Sequence, residues 1–301
     1  MRPGRVMVAC LAALLLGAQS NAQTVFELDL GQTSVERSGN AINSFGAPLR
    51  EVPKFEQRHL GLTFGTQTQN GFQLQLGHRI ERTSIPDFID TFNTSGDSME
   101  ANSQSLLQAG QSFGQTYIGG LYARGNVEFT QSNVTQNASY GVFGIEGAYQ
   151  VNEAFGVGMQ AGTINSSALD PETLDNATFV VANAVYEFAD LPLRVRGHLG
   201  VSNGEQDTDS GGGPDKINLM TAGIMLEWQP NAGGGFGEAT TLYAGYDMLR
   251  VVENRNLGAN ETINQDQFSF GIRIALGNKG RGRVNRTPNF GQWLGAVPAV
   301  D

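Results

Sequence analysis

Acid–base or nucleophilic chemistry in this chain would have to be built around His59, His78 and His198, its three histidines, since the single cysteine, Cys10, lies in the first apolar run. His78 stands in Gly77-His78-Arg79-Ile80-Glu81-Arg82, with Ser84 six residues beyond it. A Ser-His-acid set is a matter of geometry rather than spacing, but no closely spaced His, Ser and Asn arrangement occurs here, and no catalytic residue is assigned. His59 and His198 fall on polar faces of alternating stretches, where lining a wet interior is the expected role. Asp207-Thr208-Asp209-Ser210-Gly211, followed by Asp215, has the look of an opening calcium loop, because hard cations collect oxygens around a tight turn. The distal glutamate is missing. The glycine runs at 211–213 and 233–235 open no helix, so they read as turns rather than phosphate cradles. No metal and no cofactor is expected.

What remains is electrostatic. Arg79, Arg124, Arg194, Arg196 and Arg273, with Glu128, Glu146, Glu187 and Asp247, stand in stretches where apolar and polar residues take turns. The clearest is Gln267 to Leu276, where Phe268, Phe270, Ile272, Ile274 and Leu276 oppose Gln267, Ser269, Gly271, Arg273 and Ala275. Period two over such a length is the signature of a strand with unlike faces. The same pattern marks the stretches around Leu60–Phe64, Phe72–Arg79, Leu193–Val201 and Leu242–Met248, and more weakly Tyr117–Phe129, Tyr140–Gln150, Phe155–Ile164, Phe179–Phe188 and Asn218–Trp228, with Val25–Leu30 at the start. These are eleven candidate strands. Glycine, at 40 residues, weakens helices and suits turns and tightly curved strands. The chain reads as all-β.

Met1 to Arg5 is short and basic, Val6 to Ala18 is continuously apolar, and Ser20-Asn21-Ala22 ends in small residues, the layout of a secretory signal cleaved after Ala22. The apolar run is shorter than the roughly 20 residues a membrane-spanning helix needs. Cys10 would leave with it, so no disulfide is expected beyond it. Loss of Arg2 and Arg5 takes the formal net charge from -10 to -12, which disfavours a nucleic-acid partner because phosphate binding needs clustered positive charge. Lysine occurs only at Lys54, Lys216 and Lys279, and the polar faces carry Gln, Arg, Gly, Ser and Asn with scattered Glu. A soluble sandwich would display Lys and Glu there. With no apolar run after Ala22 of helix-spanning length, a membrane location would require a closed antiparallel barrel with aliphatics toward lipid and polar groups toward a lumen.

Link lengths fit that reading, since short links at Val151–Ala154 and Ala189–Pro192 alternate with longer polar ones at Gln131–Ser139, Asn165–Ala177, Ser202–Ile217 and Val251–Gln265. Aromatics flank the short set: Tyr149 and Phe155, Tyr186 and Phe188, Trp228 and Phe236. Units such as Gly141 to Gln150, Val151-Asn152-Glu153-Ala154 and Phe155 to Met159 repeat strand, short turn, strand over about two thirds of the chain. In this the chain resembles Gram-negative outer-membrane β-barrels of porin-like type, particularly those of alphaproteobacteria. It departs from them at its end, because the last strand stops near Leu276 and a basic tail, 277–301, with Lys279, Arg281, Arg283 and Arg286, follows.

The expected organisation is a signal peptide at 1–22, a barrel at 23–276 and a periplasmic basic tail at 277–301. Strand parity requires either twelve strands, one of them hidden in 81–115, or ten with Val25–Leu30 left outside; the 81–115 segment could alternatively supply a plug, with Ser103–Phe113 as a short helix. The nine charges named above are expected to line the pore. The resemblance implies an outer-membrane location, contact with outer-membrane lipid and lipopolysaccharide, insertion by the barrel-assembly machinery, passage of small solutes and a possible homo-oligomer. The leading functional expectation is a passive channel for small hydrophilic solutes or ions, not an enzyme. The alternatives are a closed barrel that displays its loops for adhesion and, third, an outer-membrane lipid-modifying enzyme.

Overall fold

The computed structural model describes residues 23–39, 55–84, 98–131, 134–168, 174–206, 214–230, 239–254, 260–277 and 287–294. The expected signal peptide, 1–22, lies outside the described residues. Twelve strands follow one another: β1 (Gln23–Gly39), β2 (Phe55–Gln67), β3 (Phe72–Ser84), β4 (Ser98–Phe113), β5 (Thr116–Gln131), β6 (Val134–Gln150), β7 (Phe155–Ala168), β8 (Asp175–Glu187), β9 (Leu193–Gln206), β10 (Asp215–Trp228), β11 (Thr240–Asn254) and β12 (Glu261–Gly277). Each pairs antiparallel with its chain neighbours, and β1 pairs with β12 to close the barrel. A five-residue helix, α1 (Phe290–Leu294), follows.

The hidden strand is β4, so the count is twelve rather than ten, and Ser103–Phe113 is strand rather than helix. Its alternation is faint in the sequence because its outward positions Ala101, Ser103 and Ser105 are small, while its inward positions Asn102, Gln104 and Gln108 are polar. Val25–Leu30 belongs to the barrel, as the closing edge, with Phe26 opposite Leu276 and Asp29 opposite Arg273. The link expected over Gln131–Ser139 is mostly strand, with β5 and β6 paired as far as Gln131 and Val134.

Short links gather at one rim, the turn side, where β1 begins and β12 ends. At the β2–β3 turn the Gly71 amide donates to the Thr68 carbonyl (3.0 Å) at a φ of 86°, a conformation that only glycine adopts at little cost. At the β6–β7 turn the Asn152 side chain accepts from the Ala154 and Phe155 amides at 2.9 and 2.8 Å. Phe113, Tyr149, Tyr186, Phe188 and Trp228 are exposed along this rim, as an interfacial aromatic girdle requires.

The strands run 13 to 17 residues, beyond the roughly 9 to 11 that cross a bilayer, so their far ends project past the apolar band on the loop side. Within the band the outward residues are large and exposed, among them Leu30, Leu62, Ile118, Ile145, Leu199, Ile224 and Phe270. Nearer the loops the pattern inverts: Lys216, Asn218, Arg250 and Asp266 face outward while Ile217, Leu219, Leu249, Val251 and Ile263 face inward and are buried. Period two persists through the inversion, but the chemistry of the two faces exchanges.

A charge placed at mid-band should therefore cost more than one at the loop-side edge. Ile224→Arg is expected to lower the stability of the barrel in lipid vesicles by about 2–4 kcal/mol and Asn218→Arg by no more than about 1 kcal/mol, read from reversible urea unfolding.

Candidate functional site

The lumen is built in three levels. On the turn side a mesh of charges crosses between strands. Arg273 of β12 donates to Glu227 of β10 at 2.6 Å, lies 3.4 Å from Asp29 of β1, and stacks its guanidinium 4.5 Å above the Tyr243 ring of β11. Arg196 of β9 reaches the same Glu227 at 3.0 Å, and Arg194 bridges Glu187 and Glu227 at 2.5 and 3.5 Å. The Tyr243 hydroxyl donates to Asp29 at 2.8 Å and sits 2.8 Å from His59 Nε2. Gly31 permits this, since a Cβ there would collide with both the His59 ring and the Tyr243 hydroxyl. Glu146 of β6 accepts from Tyr117 at 2.8 Å, Gln108 at 2.7 Å and Gln160 at 3.2 Å. Guanidinium groups suit such sites because their planar fork serves several acceptors at once.

The middle level holds the C-terminal segment. Expected as a periplasmic tail, the chain instead returns over 287–294 to the barrel interior, while 278–286 and 295–301 lie outside the described residues. Asn289 donates to Glu81 at 2.5 Å and accepts from Asn102 at 2.7 Å; Glu81 also pairs with Arg79 at 2.7 Å. The Phe290 amide donates to Gln104 at 3.0 Å, Gln104 donates to the Pro288 carbonyl at 3.2 Å, and Gln292 donates to Gln57 at 3.2 Å. A cavity of about 140 Å³ remains beside this segment, lined among others by His59, Arg79, His198 and Asp247.

The loop-side level is apolar. Leu121, Val142, Ile164, Phe179, Val181, Leu219 and Leu249 point inward from six strands, and Phe290, Trp293 and Leu294 of α1 pack on them with exposures of 0, 5 and 0%. The Phe290 and Trp293 rings stand edge-on to Phe179, 5.1 and 6.2 Å away, the geometry favoured by aromatic quadrupoles. Wall and segment explain each other: an apolar wall facing a wet lumen would be costly, and the segment covers it.

Seven of the nine expected lining residues, Arg79, Glu146, Glu187, Arg194, Arg196, Asp247 and Arg273, are on inward faces. Arg124 and Glu128 are not. In β5 the buried inward positions are Leu121, Ala123 and Val127, and Arg124 is exposed on the outer face. Placing every charge in the lumen holds within hydrocarbon. Arg124 is eight residues above the start of β5, about 20 Å along the barrel axis for a strand tilted ~40°, near the outer edge of the apolar band, from which its long side chain can extend to headgroups and water. Glu128 is higher still. His78 also faces outward, its Nδ1 3.0 Å from Ser105. His59 and His198 are luminal, with Nε2 of His59 2.8 Å from the Tyr243 hydroxyl and 3.4 Å from Asp29, and Nε2 of His198 3.3 Å from Thr221 and 3.6 Å from Asp247.

Asp29, Glu81, Glu227 and Tyr243 were missed as network members, although each stands at an alternating position that would have marked it. Phe290 and Trp293 were missed as well, and the signal available for them was two aromatic residues in an otherwise polar tail.

No protein-family model matches the chain, and no curated protein sequence matches it. Among solved structures it is similar to the COG4313 outer membrane channel from Pseudomonas putida F1, at 14% identity over 87% of this chain and 97% of that one, with a TM-score of 0.53. It is also similar to the translocator domain of the autotransporter NalP from Neisseria meningitidis (12% identity, 90% and 95% covered, TM-score 0.49) and to the NanC porin (12% identity, 82% and 100% covered, TM-score 0.41). The first of these likenesses establishes the fold as that of outer-membrane β-barrels.

Removing Arg273 takes from Glu227, whose side chain is 3% exposed, its shortest ion pair at 2.6 Å, leaving Arg196 at 3.0 Å and Arg194 at 3.5 Å, and takes from Asp29 the guanidinium at 3.4 Å. Arg273→Ala is expected to destabilise the barrel by about 3 kcal/mol. Arg194→Ala, whose side chain is 29% exposed, is expected to cost less than about 1 kcal/mol. Urea titration of the two variants in lipid vesicles compares them directly.

Proposed function

We propose that the protein is an outer-membrane channel for small hydrophilic solutes or ions, held closed in the state described by its own C-terminal segment. The observation that carries this reading is the seating of 287–294 inside the barrel, bonded to side chains of β2, β3 and β4 and packed on the inner wall of β8. A barrel serving purely as an anchor could fill its lumen from its own strands, as small barrels do. This one uses a separable piece of chain.

The energetics favour a segment that can leave. Burial of Phe290, Trp293 and Leu294 contributes about 1.5–3 kcal/mol each, and the segment's hydrogen bonds about 0.5–1.5 kcal/mol each. Ordering eight residues costs about 1–2 kcal/mol apiece. The two sides nearly cancel, so modest changes in either can shift the population between seated and released.

With the segment out, solutes would meet the turn-side mesh. The inward carboxylates of this half, Glu27, Asp29, Glu146, Glu187, Glu227 and Asp247, outnumber Arg79, Arg194, Arg196 and Arg273, so the open lumen should prefer cations. The adhesion reading would instead require that release of the segment open nothing.

Planar-bilayer recordings test the proposal on the full chain. Wild-type protein is expected to show rare or brief openings, and Asn289→Ala/Phe290→Ala/Trp293→Ala long-lived, cation-preferring steps. Arg194→Ala/Arg196→Ala, added to that background, is expected to increase the cation preference. A folded triple variant that stays silent would sink the channel reading and leave the barrel as a closed display scaffold.

A further inference from the structure

On the outer face of the barrel, Arg58 of β2 and Arg82 of β3 stand directly opposite each other, both exposed. Directly opposed like charges on neighbouring strands destabilise a sheet. Neither makes an ion pair among the described residues; the adjacent outward carboxylate, Glu56, lies one step nearer the loops, opposite Ser84, and closes none with either. Other outward cations of the loop-side half face no like charge: Lys216 stands opposite Glu205, and Arg250 opposite Asn264, with Asp266 diagonal to it as Glu56 is to Arg82. Arg58 is nine residues and Arg82 ten above the turn-side ends of their strands, about 23–25 Å along the axis, where the hydrocarbon of the outer leaflet gives way to headgroups.

A third cation stands on the same face. Arg124 of β5 is exposed between Ser105 of β4 and Gly141 of β6, and a Cβ on Gly141 would meet nothing within 4 Å. Ser103 and Asn126, opposite each other one row higher, add hydrogen-bonding groups at the same recess. Strand spacing and rise put Arg124 about 16 Å from Arg82, two strands across and four residues down. At comparable heights the outer faces of β9 to β12 carry Val201, Met220, Met248 and Phe268. The polar recess is thus a local departure from an otherwise apolar belt.

We propose that the outer face of β2–β5 binds a glycolipid of the outer leaflet that carries two phosphates. One phosphate is clasped between Arg58 and Arg82, and the other sits at Arg124 with Ser103 and Asn126. A phosphate between the opposed guanidinium groups turns their repulsion into paired charge-assisted hydrogen bonds. Arg124 and its small neighbours give the second headgroup charge a cation and room. The site rests on the membrane placement of the barrel and is independent of whether the lumen conducts.

The test uses the full chain in a zwitterionic detergent, titrated with diphosphorylated lipid A, with its dephosphorylated form and with inorganic phosphate; bound lipid is read by native mass spectrometry and stability by thermal unfolding. Wild-type protein is expected to retain lipid A and to bind the dephosphorylated form about ten-fold more weakly. Arg58→Gln/Arg82→Gln is expected to lose about ten-fold in lipid A binding, and Arg124→Gln a similar factor, while Lys216→Gln/Arg250→Gln binds as wild type. Without lipid, Arg82→Gln should melt at or above the wild-type temperature, because it relieves the repulsion, and with lipid A below it. This change of sign is one that a purely structural role for Arg82 would not produce. Equal binding of both lipid forms, or unchanged binding in the Arg58/Arg82 and Arg124 variants, would overturn the proposal; tight binding of inorganic phosphate alone would replace the lipid with a free anion.

Discussion

Every other feature of the molecule depends on the pairing of β1 with β12. In hydrocarbon no water is present to satisfy a free strand edge, and each unpaired backbone group would cost several kcal/mol, so the sheet must close on itself. The closing register, Phe26 on Leu276 and Asp29 on Arg273, fixes more than the backbone. It brings a carboxylate from one end of the barrel sequence beside an arginine from the other, and that arginine is the hub of the turn-side mesh. A slip of β1 by one residue would turn Asp29 toward lipid and leave Arg273 without it.

Closure with twelve strands leaves an interior too wide for the barrel's own side chains to fill uniformly. The chain meets this differently at different heights. Near the turns long arginines and carboxylates span the gap, each acceptor shared by several donors. Farther up, shorter aliphatic side chains line the wall and the C-terminal segment supplies the missing volume with Phe290, Trp293 and Leu294. The polar contacts of Asn289, Gln292 and the Phe290 amide lie where the two regimes meet. A segment held by a few hydrogen bonds and three apolar side chains, against the entropy of ordering it, is a part that can exchange between seated and released positions without disturbing the closed sheet around it.

The inversion of the strand faces ties the lumen to the outer surface. Once a strand rises above the hydrocarbon its outward side chains no longer need to be apolar, and its inward side chains, meeting the segment rather than water, no longer need to be polar. The same physical change of surroundings thus places Leu249 and Val251 inside and Arg250 outside in β11, and Ala123 inside and Arg124 outside in β5. It also accounts for strands longer than the membrane is thick. The cations gathered on β2, β3 and β5 stand where this change of surroundings permits them.

The sequence by itself determined that the chain is an all-β, closed antiparallel barrel, because period two, glycine content, the scarcity of lysine and the alternation of short and longer links are local properties. Parity of the strands limited the count to ten or twelve. It also identified Arg194, Arg196 and Arg273 as inward, because in the turn-side half lipid lies outside and a charge has one direction to face. Tertiary structure alone decided the rest. The small outer face of β4 concealed a strand that only its hydrogen-bonded neighbours reveal. The direction of Arg124 and Glu128 depends on their height above the membrane, a quantity that local alternation does not contain. The place of Phe290 and Trp293 depends on a wall assembled from six strands distant in sequence, and no local pattern in a polar tail specifies what it will meet when the chain turns back into the barrel.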